Sequence, residues 1–337
     1  MDGIAKDNSE SHRTGLFATR DLSRGSLLLT EAPILISTAE EGIKEMEDYQ
    51  GAEASAYARK FDQLSAEDQA NYLTLTTTRS STHRQSRRQP TLMDADCNQD
   101  AINRYVQDKI QHKPELNVAD EVAHYTRVCN ILDIYYVKMY AEREDGCDFG
   151  VFLNSSMINH SCTPNASEHF DGDSGLLKIF AMRDIPAGEE ITVGRIDLVQ
   201  TREERHNDLG YTCGCPTCRF PYPKVSDQRR ARLQQIFDVL DNSCLFLQPK
   251  HVTVTHVKDI GDGNALAIEY MKLLQKEGLV GVALTWCWLQ LAAWANYDDK
   301  KALAAAYLRQ FEDQALVCEG DTRTEWHSLW KQINETL

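Results

Sequence analysis

Two short segments hold the residues best suited to chemistry: Asn159-His160-Ser161-Cys162-Thr163-Pro164-Asn165 and Tyr211-Thr212-Cys213-Gly214-Cys215-Pro216-Thr217-Cys218. The second offers three thiols within six residues, and the first offers a fourth about fifty residues upstream. Four thiolates can close a tetrahedral zinc site. The C-x-C-x2-C spacing lets three sulfurs converge on one ion with no helix or strand between them, and Gly214 and Pro216 supply the tight turn this needs. Cys162, Cys213, Cys215 and Cys218 fill all four positions and leave none for a catalytic water, so the expected Zn2+ is structural. Its role would be to staple together two pieces far apart in the chain. His160, two residues before Cys162, is a competing ligand, although four thiols already complete the shell.

Composition narrows what such a site can serve. With 337 residues, one large or two moderate domains are expected, with ample apolar content for a core. No run of about eighteen apolar residues occurs, and Met1–Arg13 is polar rather than a secretory signal. The expectation is an intracellular protein, cytoplasmic and/or nuclear, with no membrane partner. Ten cysteines in such a chain read as metal ligands and buried thiols, not as a disulfide framework. Cys97, Cys129, Cys147, Cys244, Cys287 and Cys318 have no ligand spacing and read as ordinary thiols. The net charge of −15 disfavours direct nucleic-acid binding and would attract a basic peptide, although acidity also simply keeps a protein soluble.

The elements that must position these residues are legible in outline. Thr14–Pro33 has two apolar runs split by a polar turn at Asp21–Gly25, a β-hairpin or two short strands. Glu40–Thr76 is polar and helix-forming, Thr77–Pro90 is a basic, serine-rich loop, and helical spacing resumes over Asp100–Tyr140. Ala166–Phe170 and Leu176–Met182 flank Asp171-Gly172-Asp173-Ser174-Gly175, a strong hairpin signal. A further turn at Ala187-Gly188 feeds the β-branched segment Ile191-Thr192-Val193. Beyond Pro223 the pattern becomes amphipathic helices, clearest over Gln228–Leu240, Ala265–Glu277, Val282–Trp294 and Lys301–Val317, with Trp286, Trp288 and Trp294 expected in their core.

Gly15-Leu16-Phe17-Ala18, Asn159-His160-Ser161-Cys162, Gly188-Glu189-Glu190-Ile191 and the cysteine triplet, in this order, resemble the SET-domain methyltransferases of the SET-and-MYND type, in a fungal-like form without the MYND zinc finger. The resemblance covers nearly the whole chain. It implies an α+β fold: a flexible N-terminus over 1–12, a β-rich SET domain over 13–205 with a helical insertion at about 40–125, a zinc-binding post-SET segment over 206–222, and a C-terminal helical domain over 223–337. It also implies S-adenosylmethionine in a cleft formed by Thr14, Gly15, Leu16, Asn130, Asn159, His160 and Tyr211. Asn130 reads equally well as a structural residue.

The chain departs from this family where the reaction would occur. Val193-Gly194-Arg195-Ile196-Asp197 places Arg195 where the family has a tyrosine. In Asp208-Leu209-Gly210-Tyr211, Leu209 stands at the usual aromatic, while Tyr211 takes a position that is normally Phe. His12-Arg13-Thr14-Gly15 lacks the first glycine of Gly-x-Gly. A permanently charged guanidinium in a lysine channel would repel an ammonium and cannot replace a tyrosine hydroxyl. Three readings follow. In the first, a protein-lysine methyltransferase acts on a basic protein or peptide, with Tyr211 and Arg195 as the catalytic-site candidates and Arg195 turned aside. In the second, a diverged enzyme acts on an anionic small molecule anchored by Arg195. In the third, the chain is a non-catalytic scaffold for protein interaction.

Overall fold

The structure is a computed structural model that describes residues 3–8, 14–37, 53–75, 95–139, 148–219, 224–242, 260–320 and 327–335. The basic loop expected over 77–90, and with it Cys147 and Cys244, lies outside the described residues. The fold is α+β. The described strands are β1 (Ile4–Asn8), β2 (Thr14–Ala18), β3 (Leu27–Glu31), β4 (Leu35–Ser37), β5 (Tyr136–Met139), β6 (Asp148–Val151), β7 (Asn159–His160), β8 (Ala166–Asp171), β9 (Leu176–Ala181) and β10 (Glu190–Val193). The described helices are α1 (Glu53–Gln63), α2 (Ala66–Tyr72), α3 (Ala95–His112), α4 (Val118–Tyr135), α5 (Arg202–Leu209), α6 (Lys224–Asn242), α7 (Ile260–Lys276), α8 (Val282–Tyr297), α9 (Lys301–Glu319) and α10 (His327–Asn334).

The chain divides into two compact units. The first comprises Met1–Leu29, Ile158–His169 and Lys178–Leu337, and the second comprises Thr30–Met157 and Phe170–Leu177. In the first unit a four-stranded sheet has the order β1-β2-β10-β7. Within the segment expected to be flexible over 1–12, the first pairing of this sheet places Ile4–Asn8 in a strand, while residues 1–2 and 9–12 lie outside the described residues. Ile4–Asn8 pair antiparallel with all of β2, from Ile4 opposite Ala18 to Asn8 opposite Thr14. Ile4 is only 8% exposed, so one buried side chain and a full ladder of backbone hydrogen bonds order a polar stretch that composition alone reads as loose. The two runs of Thr14–Pro33 prove to be two strands and not one hairpin, because β2 pairs with β1 and β10, whereas β3 joins a separate sheet of order β3-β9-β8. The hairpin expected at Asp171–Gly175 does form. Asp171 carboxylate oxygens accept from the Asp173 N–H and the Ser174 hydroxyl, and Gly175 takes φ +68°, where a side chain would be strained.

Helices α6 to α9 are the C-terminal helices that the periodicity predicts. Helix α8 is apolar nearly all round and accordingly lies at the centre, with Leu284, Cys287, Leu289, Leu291 and Ala292 buried between α7 and α9. Trp286 and Trp288 pack on the clusters that these residues form, and Trp294 is buried, as expected of core residues. In the second unit, α1 to α4 surround a core of Tyr57, Phe61, Tyr72, Val106, Tyr125 and Leu132, and a small sheet has the order β4-β6-β5. Side chains start two of these helices: the Ser65 hydroxyl accepts from the Asp68 N–H, and the Asn117 side chain accepts from the Ala119 and Asp120 N–H groups. Buried Tyr72 ties α2 to α4 by donating to the Val128 carbonyl at 2.9 Å.

Helix α9 ends at Gly320, which takes φ +72° and satisfies the Leu316 carbonyl. A Cβ added there would lie 2.3 Å from the Phe180 ring on β9. Both the left-handed backbone and the contact exclude a side chain. Gly320→Ala is expected to cost about 3 kcal/mol from these two effects together, read as a lowered urea midpoint with the cofactor-free protein.

Candidate active site and metal centre

Strand β10 brings the motif residues together. It pairs antiparallel with β2, with Ile191 opposite Leu16, and parallel with β7, with Thr192 opposite Asn159 and Val193 opposite His160. The cleft candidates Gly15, Leu16, Asn159 and His160 are thereby held within three adjacent strands. The Asn159 amide donates to Glu190 Oε1 at 2.7 Å. A Cβ on Gly15 would stand 2.6 Å from that same carboxylate oxygen and 3.0 Å from Asn159 Nδ2. Gly15 therefore owes its identity to this pair and not to an unusual φ. Asn130 lies on α4 in the other compact unit, half-buried, so the strands that gather the remaining candidates do not include it.

The chain then turns through a clasp that the sequence reading did not single out. Asn165, 1% exposed, donates to Glu189 Oε1 and to the Glu190 carbonyl and accepts from the Thr192 N–H at 2.8 Å. Its side-chain amide is satisfied by holding the turn after Cys162 against β10 and the residue before it.

The four expected thiols converge: the sulfurs of Cys162, Cys213, Cys215 and Cys218 all lie within 4.8 Å of one another. Cys162 lies 3.9 Å from Cys213 and 3.5 Å from Cys218, sulfur to sulfur. A tetrahedron with Zn–S bonds of about 2.3 Å has S···S edges of about 3.8 Å, so the thiols fit a zinc ion. The knuckle is preformed: the Cys215 N–H points at the Cys213 sulfur, and the Cys218 and Arg219 N–H groups donate to the Cys215 carbonyl. Thr163 and Thr217 hydroxyls, 2.8 Å apart, join the two cysteine-bearing segments beside it. Hydrogen bonding with Cys162 pushes the Cys213 thiol well above its ordinary range and pulls the Cys215 thiol well below it, as expected of sulfurs too close to ionise together without a cation.

His160 is not a fifth ligand. Its Nδ1 accepts from the Arg195 N–H at 3.1 Å, which leaves the proton on Nε2, 3.4 Å from the Cys162 sulfur and directed as a donor. The imidazole thus connects the metal site to the backbone of Arg195. The Arg195 guanidinium donates to Glu168 Oε2 on β8 at 2.6 Å, with the two side chains 20% and 13% exposed. Leu209 is buried in the thiol cluster, where Tyr211 and Ile196 pack against it, which accounts for an aliphatic residue at 209.

Helix α5 sets this arrangement. It begins with a reciprocal cap between Thr201 and Glu204 and ends at Gly210 with φ +66°, which releases the chain toward Tyr211 and the triplet. Arg205 and Leu209, one turn apart, share its buried face. Deeper still, Arg230 on α6 is 0% exposed and donates to the Cys162 and Leu198 carbonyls and to Glu277, which is 6% exposed and also accepts from Ser226 and Arg229. No periodicity flags these buried charges. Their signal would have been arginines at apolar positions of α5 and α6.

The SET-domain family model matches residues 13–194, and the chain belongs to this family. Among curated relatives it is 36% identical over 101 residues to the protein-lysine N-trimethyltransferase SMYD5 of Gallus gallus, covering 26% of this chain and 24% of that one. It is 35% identical over 118 residues to the histone-lysine N-methyltransferase SMYD3 of Mus musculus, covering 34% and 26%. It is 34% identical over 103 residues to the histone-lysine N-methyltransferase set5 of Schizosaccharomyces pombe, covering 28% and 32%. The matched segments therefore span between 24% and 32% of those relatives. The expected family and α+β fold class are borne out. No described helix is long and apolar enough to cross a membrane.

Two outcomes test the metal centre and its support. Chelation is expected to remove about one zinc equivalent and lower the melting temperature, with Cys213→Ser abolishing metal retention by elemental analysis. Glu277→Gln strands two arginines and is expected to cost about 3–5 kcal/mol at pH 7. Burial raises the Glu277 carboxyl, but hydrogen bonds from Ser226, Arg229 and Arg230 reverse this and hold it below its ordinary value. Its contribution is therefore complete above the unfolded value of about 4.3 and is lost as pH falls through the folded one. The gap in urea stability between wild type and Glu277→Gln should narrow below about pH 4.

Proposed function

We propose that this chain is an S-adenosylmethionine-dependent protein-lysine methyltransferase acting on basic proteins or peptides. The observation that carries this reading is the Arg195–Glu168 pair. A lone guanidinium at the position of the family tyrosine would repel an ammonium, but one bound to a carboxylate adds no net charge, and the overall charge of −15 attracts cationic chains. The names of the relatives, protein-lysine and histone-lysine methyltransferases, support the same substrate class. The pairing also removes the main support for an anionic small-molecule substrate, because the proposed anchor already holds a carboxylate.

When bound, S-adenosylmethionine supplies an activated sulfonium methyl, so the protein's task is positioning and desolvation. Gly15, Asn159 and His160 form the cofactor wall in this proposal, with Thr14 at its edge and Leu16 fully buried in the same strand as Gly15. Glu190 holds the Asn159 amide. Tyr211 provides the aromatic surface for the target side chain, the role vacated at 209. The acceptor must lose a proton before attack, and Glu168, already charge-paired, is suited to orient the amine more than to take that proton.

Calorimetry with S-adenosylmethionine and labelled-methyl transfer onto histones and lysine-rich peptides test this reading. Cofactor binding with transfer to lysine is expected, and binding without any labelled protein would overturn the assignment. Glu168→Gln uncovers the Arg195 charge and is expected to lower kcat/KM at least about 10-fold, as for loss of a positioning interaction worth about 1.4 kcal/mol, with cofactor affinity unchanged. Arg195→Tyr is expected to retain or raise transfer.

A further inference from the structure

Two arginines are fully buried within reach of the cysteine cluster, and they differ in what balances them. Arg230 has the Glu277 carboxylate at 2.9 Å. Arg205 has none: among the described residues no carboxylate reaches it. Its guanidinium, 0% exposed, donates to the Gln200 carbonyl through Nη1 and to the Cys218 sulfur through Nη2 at 3.6 Å, while its Nε is buried without a hydrogen-bond partner. A guanidinium cannot discharge by losing a proton in a protein, and a buried unpaired charge costs several kcal/mol. Among the described residues, the Cys218 sulfur is the one hydrogen-bond partner of this guanidinium that can carry opposing charge. Four thiolates around one divalent ion leave a net charge of about −2, which a metal centre in a low-dielectric surrounding must also offset.

We propose that Arg205 is the counter-charge of a tetrathiolate metal centre at Cys162, Cys213, Cys215 and Cys218, acting through Cys218 as a positioning residue that sets how firmly the metal is retained. The two unfavourable terms cancel each other: the guanidinium is stable in the interior because the metal-bound thiolates are anionic, and the excess negative charge is stable because the guanidinium is beside it. The His160 Nε2–H directed at Cys162 is a second, neutral donor to the same centre. Helix α5 makes the arrangement local, since its cap at Thr201 and its Gly210 terminus aim Arg205 and the triplet at one point.

The test uses the full chain, with Arg205→Met, Arg205→Lys and Arg230→Met compared with wild type. Zinc transfer to a colorimetric chelator is expected to be about 10–100-fold faster in Arg205→Met, the range for loss of an outer partner of a metal ligand. Arg205→Lys, which keeps the charge and loses the planar fork, should lie between the two. In the Co2+-substituted proteins the sulfur-to-metal charge-transfer band should move to longer wavelength in Arg205→Met, because removing a neighbouring cation raises the energy of the sulfur electrons. Arg230→Met, which touches the Cys162 carbonyl and not a sulfur, should leave the band in place even where general loosening speeds release. Wild-type release and an unshifted band in Arg205→Met would overturn the proposal, as would an equal shift in Arg230→Met. Should Arg205→Met fail to fold, Arg205→Gln, which removes the charge but keeps a hydrogen-bond donor, is read in its place, and wild-type release with an unshifted band in that variant overturns the proposal.

Discussion

Everything near the candidate active site depends on the convergence of four thiols contributed by two segments about fifty residues apart. Closing a loop of that length is entropically unfavourable, and bringing four sulfurs within 4.8 Å of one another is unfavourable again unless a cation joins them. A metal ion resolves both at once, and the surrounding residues are arranged as though it does. His160 directs a proton at one sulfur, Arg205 at another, and Arg230 grips the carbonyl of the first ligand. The centre is consequently connected to α5, α6 and the Glu277 turn, so the cysteine segment is not an appendage to the SET fold.

The second organising feature is β10. Because it pairs with β2 on one side and β7 on the other, Gly15 and Asn159 come close enough that Glu190 serves both: it accepts the Asn159 amide and occupies the space a side chain at 15 would need. The same strand leads into Arg195, whose N–H fixes the His160 tautomer. Gly15 and Asn159, the thiol cluster and the residue replacing the family tyrosine are thus within a few hydrogen bonds of one another. A change at any one of them should be felt at the others.

That proximity gives the departures from the family a physical sense. Leu209 replaces an aromatic but fills the apolar surface over the thiols, and Arg195 replaces a tyrosine but arrives with Glu168 from another strand. Each is a local solution, and neither leaves an unpaired charge. Glu168 was not identifiable from sequence because an acidic residue on a hairpin strand is ordinarily a solvated one; only pairing across β8 and the segment after β10 gives it a partner. Asn165, Arg205, Arg230 and Glu277 escaped notice for the same reason, since burial of a polar residue is a property of its surroundings and not of its type.

The sequence by itself determined the family, the four thiols, the order of the motifs, the hairpin at Asp171–Gly175 and the C-terminal helices, because each rests on spacing or periodicity within a short window. It carried no sign of β1, which is placed by a partner strand, and it left open whether Thr14–Pro33 formed one hairpin or two strands. Tertiary structure alone decided which charges are paired: Arg195 with Glu168, Arg230 with Glu277, and Arg205 with sulfur. The cost of a buried charge depends on groups that the chain brings from far away, and no local pattern records them.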